Sequence, residues 1–171
     1  MCILPFSIRR CIHLFYAAYA LPPFYSAART GYVPYSRGED GVLKLIEKSI
    51  QGERNDELFY DTLIRMAPNE QEKEIIARIR DDERKHRRMF RSIYTQLTGR
   101  PAPEQPDMPE ALPTQYTEGI AKALLGELAA FEKYRMIYLT IDPRFRDWMF
   151  EIMTDEIKHA GYYNYLYTTN K

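Results

Sequence analysis

The chain has 171 residues, 45% of them hydrophobic, with 24 Lys and Arg set against 24 Asp and Glu. That length and apolar content suit one domain with a sizeable core and exclude a disordered chain. The balanced charge removes the electrostatic case for binding nucleic acid or an anionic membrane, so a small partner is expected.

Residues 1–38 differ from the rest. Arg9 and Arg10 precede an apolar run from Cys11 to Leu21, followed by Pro22-Pro23 and a Tyr/Pro/Gly stretch to Gly38. The run is too short to span a bilayer as a helix. With Ser26-Ala27-Ala28 after it, the segment has the outline of a signal peptide, but Pro5, Phe6 and His13 fit one poorly. A disordered tail or an over-extended start, ahead of a cytoplasmic domain, is the better expectation. Cys2 and Cys11 are the only thiols and form no Cys-x-x-Cys pair, which removes thiolate zinc and rubredoxin-type sites from consideration.

From Glu39 the pattern becomes helical and is interrupted at Pro68-Asn69, between Gly99 and Pro113, and at Asp142-Pro143. The first segment, about Glu39 to Ala67, carries Leu43, Ile46, Ile50, Glu53, Glu57, Tyr60 and Ile64 at alternating spacings of three and four, one helical stripe. The second, about Glu70 to Thr98, is capped by Asn69 and closed by Gly99, with the stripe Ile76, Ile79, Glu83, His86, Phe90, Ile93 and Leu97. The third, about Gln115 to Ile141, offers Ile120, Leu124, Glu127, Phe131, Tyr134, Tyr138 and Ile141; the fourth, about Arg144 to Tyr167, offers Met149, Ile152, Glu156, His159, Tyr163 and Leu166.

Each stripe is apolar except near its middle, where every helix places Glu and the second and fourth add His. The short connections at Pro68 and Asp142-Pro143 make two antiparallel hairpins. Glu53 and Glu83 each lie 15 residues from Pro68, while Glu127 lies 15 before Asp142 and Glu156 lies 14 after it. At 1.5 Å per residue, the carboxylates of each hairpin fall at one height, roughly 22 Å from the turn. The proline-rich linker 100–114 favours an extended chain reaching about 45–50 Å, enough to cross from one end of the bundle to the other. The expected fold is an all-α up-down four-helix bundle: residues 39–171 as two antiparallel hairpins joined by a long crossover.

The halves repeat. Asp82-Glu83-Arg84-Lys85-His86 matches Asp155-Glu156-Ile157-Lys158-His159 at four of five positions, and Glu53 and Glu127 are each followed seven residues later by Tyr60 and Tyr134. One Glu-x-x-His on a helix is commonplace. Two, in register, with two further glutamates at the same level, form a ligand set for two metal ions, because i, i+3 spacing turns Glu and His to one face. Four buried carboxylates demand compensating charge, and two divalent ions supply it with neutral histidines. Hard oxygen donors with one imidazole per metal suit iron first and manganese second. Asp82 and Asp155 are placed to accept the free ring N–H of the opposite hairpin's histidine. Tyr60 and Tyr134 are the candidate catalytic side chains, although a core tyrosine with a satisfied hydroxyl is the commoner occupant of such a position. Glu57 shares the stripe, but its counterpart is Phe131, so a role as an extra ligand or proton shuttle is the lesser expectation. The run Arg84, Lys85, Arg87, Arg88, Arg91 reads as a solvent face.

These residues resemble the rubrerythrin branch of the ferritin-like superfamily, in particular short rubrerythrin-like proteins of spore-forming bacteria with a Tyr/Pro-rich N-terminus. The resemblance covers about residues 39–167. It implies Glu53, Glu83, His86, Glu127, Glu156 and His159 as ligands of a di-iron centre, Tyr60 near it, and a spore-associated or cytoplasmic setting. Two departures matter. Rubrerythrins often carry a second glutamate three residues after the third-helix ligand, where this chain has Ala130, and the four-cysteine rubredoxin domain is missing. The expected function is therefore a di-iron oxidoreductase reacting with O2 or H2O2, a ferroxidase or peroxidase linked to oxidative stress, with electrons from an external donor protein. A dimanganese catalase-type activity and a non-catalytic metal-binding or spore structural role are the alternatives. Twelve residues after His159 leave no room for the fifth helix of ferritin cages, so a cage is not expected; a homodimer is the expectation, and the exposed aromatic run Tyr162–Tyr167 hints at a partner surface.

Overall fold

A computed structural model describes residues 39–104 and 111–171; the N-terminal 38 residues and the middle of the crossover lie outside the described residues. Four long helices account for nearly all of it: α1 (Glu39–Met66), α2 (Glu70–Thr98), α3 (Tyr116–Thr140) and α4 (Arg146–Thr169), with a 3₁₀ turn at Pro143–Phe145 ahead of α4. No strand occurs among the described residues, and none of their helices is long and apolar enough to cross a membrane.

The helix ends follow their side chains. Asn69 accepts the Glu72 N–H at 3.0 Å and its own amide donates to the Glu72 carboxylate at 2.9 Å, so side chain and backbone cap α2 together. Gly99 closes α2 in the left-handed region at φ 69°, its N–H bonded to the Thr95 carbonyl at 2.9 Å. Asp142 accepts from the Arg144 N–H at 3.0 Å, and Pro143, which needs no donor partner, opens the turn into α4.

α1 packs along α2 and α3 along α4, while α1 also flanks α3 and α2 flanks α4. The core forms two apolar clusters. One gathers Ile46 and Ile50 of α1, Phe90 and Ile93 of α2, Tyr134 and Ile137 of α3 with Ile141 just beyond its end, and Met149 and Ile152 of α4. The other gathers Phe59, Tyr60 and Leu63, then Ile76 and Ile79, Ile120 and Ala123, and Tyr163 and Leu166. The start of α1 thus meets the end of α3, and every flanking pair is antiparallel. The end of α2 lies at the first cluster and the start of α3 at the second, so these two helix ends stand at opposite ends of the bundle. The expected architecture is the one observed.

Two details differ from the sequence expectation. On α3 the inward residues are Ala123 and Ile137, with Leu124, Phe131 and Tyr138 half-buried. Phe59, Tyr60 and Tyr163 already fill the second cluster, so a small residue stands opposite them. The C-terminal aromatic run is also no single exposed surface. Tyr163 and Leu166 are wholly buried, whereas Tyr162 and Tyr165 face outward, as a helix through a core boundary requires.

Gly119, in the first turns of α3, marks a close approach between the returning crossover and α1. A Cβ there would stand 2.5 Å from Leu63 Cδ2 and 2.9 Å from Pro113 Cβ. Gly119→Ala gains up to about 1 kcal/mol of helix propensity but overpacks a filled site at a cost of about 1–3 kcal/mol. Urea denaturation of this variant is expected to show a net loss of stability; a variant as stable as the parent would remove the steric reading.

Candidate metal centre

Between the two apolar clusters lies one polar layer. Glu53 follows Ile50 on α1, Glu83 follows Ile79 on α2, Glu127 follows Ala123 on α3, and Glu156 follows Ile152 on α4, each about one turn beyond a core residue. All four carboxylates are at most 2% exposed, and His86 and His159 are fully buried. One ligand atom from each of Glu53, Glu83, His86 and Glu156 lies within 4.8 Å of the others; the same holds for Glu83, Glu127, Glu156 and His159. Glu83 and Glu156 belong to both groups. All six side chains singled out by spacing converge here.

The histidines turn Nδ1 inward. Nδ1 of His86 lies 3.2 Å from both Glu83 and Glu156, and Nδ1 of His159 lies 3.1 Å from Glu83 and 3.5 Å from Glu127. Their Nε2 atoms point outward and cross the hairpins: His86 to Asp155 and His159 to Asp82, both at 3.1 Å. This is the arrangement expected from sequence for the two aspartates. An aspartate on Nε2–H keeps that proton in place and leaves Nδ1 as the nitrogen that faces the glutamates.

The tyrosines cross as well. Tyr60 of α1 donates to Glu127 of α3 at 2.6 Å, and Tyr134 of α3 donates to Glu53 of α1 at 2.5 Å. Each phenol occupies one oxygen of a glutamate and fixes the orientation of the other. Glu57, by contrast, belongs to neither group of four: Arg84 and Arg87 reach it at 2.9 Å and Arg54 at 3.1 Å. Burial alone would raise its pKa, but the hydrogen bond from Arg84, the charge of Arg87 and the hydrogen bond from Arg54 hold it below the usual range. The basic run of α2 is therefore no plain solvent face, since two of its arginines neutralise a buried carboxylate on α1.

Electrostatics show what the layer lacks. Glu53 Oε2, Glu83 Oε1, Glu156 Oε1 and His159 Nδ1 are buried with no partner outside the layer itself: Glu83 Oε1 and His159 Nδ1 meet each other, and Glu156 Oε1 meets His86 Nδ1, a cost that a cation among them would remove. Burial, and then the neighbouring Glu83, push Glu53 well above the usual carboxyl range; burial followed by Glu83 and Glu127 does the same to Glu156. Burial would raise Glu83 too, but hydrogen bonds from Glu53, His159 and His86 hold it low. Burial would lower His86, yet Asp155 and Glu83 raise it to about 10; Asp82, Glu127 and Glu83 likewise raise His159, against its burial, to about 11. Protons on Glu53, Glu156, His86 and His159 are thus what a metal must displace. The donor set fits a pair of divalent ions: four carboxylates carry four negative charges, and the orphaned atoms are oxygens and an imidazole nitrogen.

Two residues beside the layer were not among the site residues expected from sequence, although Tyr163 was placed on the inward stripe. Tyr163 is wholly buried with its hydroxyl unpartnered and its ring 5.5 Å from that of Tyr60. Its repeat counterpart, Phe90, packs 5.1 Å from Tyr134, so a Tyr/Phe mismatch between the halves was the available signal. Lys158 lies 2.6 Å from Asp155 and 3.0 Å from Asp82; its place inside the repeated motif was visible, but not its reach to the other hairpin.

Because both imidazole pKa values are raised above the unfolded value near 6.5, their protonated contribution to the metal-free fold is complete below that pH and disappears as pH rises through about 10 to 11. NMR titration of the metal-free chain is expected to show no His86 or His159 midpoint between pH 5.5 and 8.5; midpoints near 6.5 would contradict this electrostatic picture.

Among curated proteins, the uncharacterized protein YhjR of Bacillus subtilis (strain 168) is 28% identical over 134 residues, spanning 78% of this chain and 90% of that protein. Among solved structures, a hypothetical protein from Pyrococcus furiosus superposes with a TM-score of 0.65 at 21% identity, covering 74% of this chain and 88% of that one, a likeness of fold. Residues 44–117, which carry Glu53, Glu83 and His86, match the family model of rubrerythrin, a ferritin-like domain.

Proposed function

We propose that this chain is a di-iron carboxylate protein that reacts with O2 or H2O2. The observation that carries the reading is the buried layer of four glutamates and two histidines, with orphaned oxygens, set between two apolar clusters. Glu83 and Glu156, common to both groups, would serve both metals; Glu53 and His86 would complete one site, and Glu127 and His159 the other. A pair of iron ions supplies there a two-electron capacity towards O2 or H2O2 that no side chain of the layer offers.

The chain's own groups do the rest. Tyr60 and Tyr134 act as positioning residues, each holding one carboxylate oxygen so that the other faces the metals. Asp155 and Asp82 fix the histidine rings and make them stronger donors. The apolar clusters on either side exclude bulk water, which strengthens every charge interaction in the layer. Ala130, packed against the first cluster, supplies no extra carboxylate beside Glu127. That favours oxidation of iron itself over a peroxide reduction that depends on carboxylate exchange. Repeated turnover would draw electrons from an external donor protein. Manganese meets the same donor set, and release of O2 from H2O2 by the manganese-loaded chain would favour that reading.

The test is the His86→Ala, His159→Ala double variant, titrated anaerobically with Fe(II) and then exposed to O2. Parent protein is expected to take up two irons per chain and consume O2. The variant should lose more than about tenfold in affinity, with oxidation falling in step. Unchanged uptake and oxidation in a folded variant would overturn the assignment.

A further inference from the structure

We propose that Lys158 is a positioning residue for both metal-binding halves at once, clasping the two aspartates that hold the two histidines. The inference rests on the metal-centre reading above. Lys158 Nζ lies 2.6 Å from Asp155 Oδ1 and 3.0 Å from Asp82 Oδ2. Asp155 in turn meets His86 Nε2, and Asp82 meets His159 Nε2, each at 3.1 Å. A single ammonium therefore closes a chain running His86–Asp155–Lys158–Asp82–His159 across the seam between α2 and α4. The imidazole rings it joins are stacked, with centroids 6.0 Å apart.

The internal repeat explains why one lysine does this alone. Lys85 is the counterpart of Lys158 and sits three residues after Asp82 as Lys158 does after Asp155, so the repeat alone predicts a second clasp. Instead it pairs with Glu151 of α4. The counterpart of Glu151 in the first half is Arg78, a cation that leans towards Glu74 on its own helix. Among the described residues Lys158 pairs with these two aspartates. Both aspartates are held below the usual carboxyl range. For Asp82 the hydrogen bond with His159 leads, followed by that of Lys158; for Asp155, burial opposes and His86 and Lys158 prevail.

The clasp differs in kind from an ordinary surface ion pair, which contributes little. Its carboxylates also fix ring orientation and tune the basicity of buried ligands, where losing one outer partner typically costs ten- to a hundredfold in metal affinity. Because the lysine is shared, its loss must reach both metals. Loss of either aspartate should reach mainly one.

Cobalt(II) titration of the full chain, followed by absorbance, separates these cases. The parent is expected to bind two Co(II). Lys158→Met, with folding checked by circular dichroism, should weaken both steps by about tenfold or more. Lys158→Arg, which keeps the charge and can fork onto both carboxylates, should restore both steps, while Asp82→Asn should weaken one. Parent-like affinity in both steps of Lys158→Met, or a loss confined to one step, overturns the clasp. A parent chain that binds no Co(II) overturns the metal-centre reading itself.

Discussion

The structure depends on one electrostatic constraint: four glutamates buried at one level need positive charge among them. An uncompensated carboxylate in a dry interior costs several kcal/mol, and here four share a layer with every carboxylate at most 2% exposed. The two hairpins bring them to equal height, the tyrosines and aspartates orient the groups around them, and the apolar clusters above and below keep water out. Without metal, raised pKa values at Glu53, Glu156, His86 and His159 let protons perform part of the compensation. With two divalent ions the same layer balances without them.

The layer is nearly two-fold symmetric, and its departures from symmetry carry information. Glutamates, histidines, Tyr60 and Tyr134 all repeat across the halves, and their hydrogen bonds cross from one hairpin to the other. The two aspartates repeat as well, but other neighbours do not. Tyr163 faces Tyr60 where Phe90 faces Tyr134, and Glu57 sits among three arginines where its counterpart is Phe131. The two groups of four side chains are alike in themselves and unlike in their surroundings.

Much of this was legible along the chain because it depends on spacing alone. Glu-x-x-His at i, i+3, equal distances from two turns, the Asn69 cap and the Gly99 stop are one-dimensional signals with fixed three-dimensional meaning. What was not legible depends on which helix lies alongside which, and at what rotation. α3 carries Leu125, Leu128 and Leu139 on its exposed side, so its stripe is ambiguous, and Ala123 and Ile137 took the inward positions expected of Leu124 and Tyr138. The capture of Glu57 by Arg84 and Arg87, and of both aspartates by Lys158, likewise requires side chains from two helices to meet. Sequence spacing within one helix cannot report that meeting.

The central claim is that the glutamate layer holds two metals, each by its own group of four side chains. An anomalous difference map from crystals loaded with Fe(II), recorded at the iron edge, tests it most directly. Two peaks are expected within the bundle, one among Glu53, Glu83, His86 and Glu156 and the other among Glu83, Glu127, Glu156 and His159. A layer that shows no iron peak, with metal only at the protein surface, would contradict it.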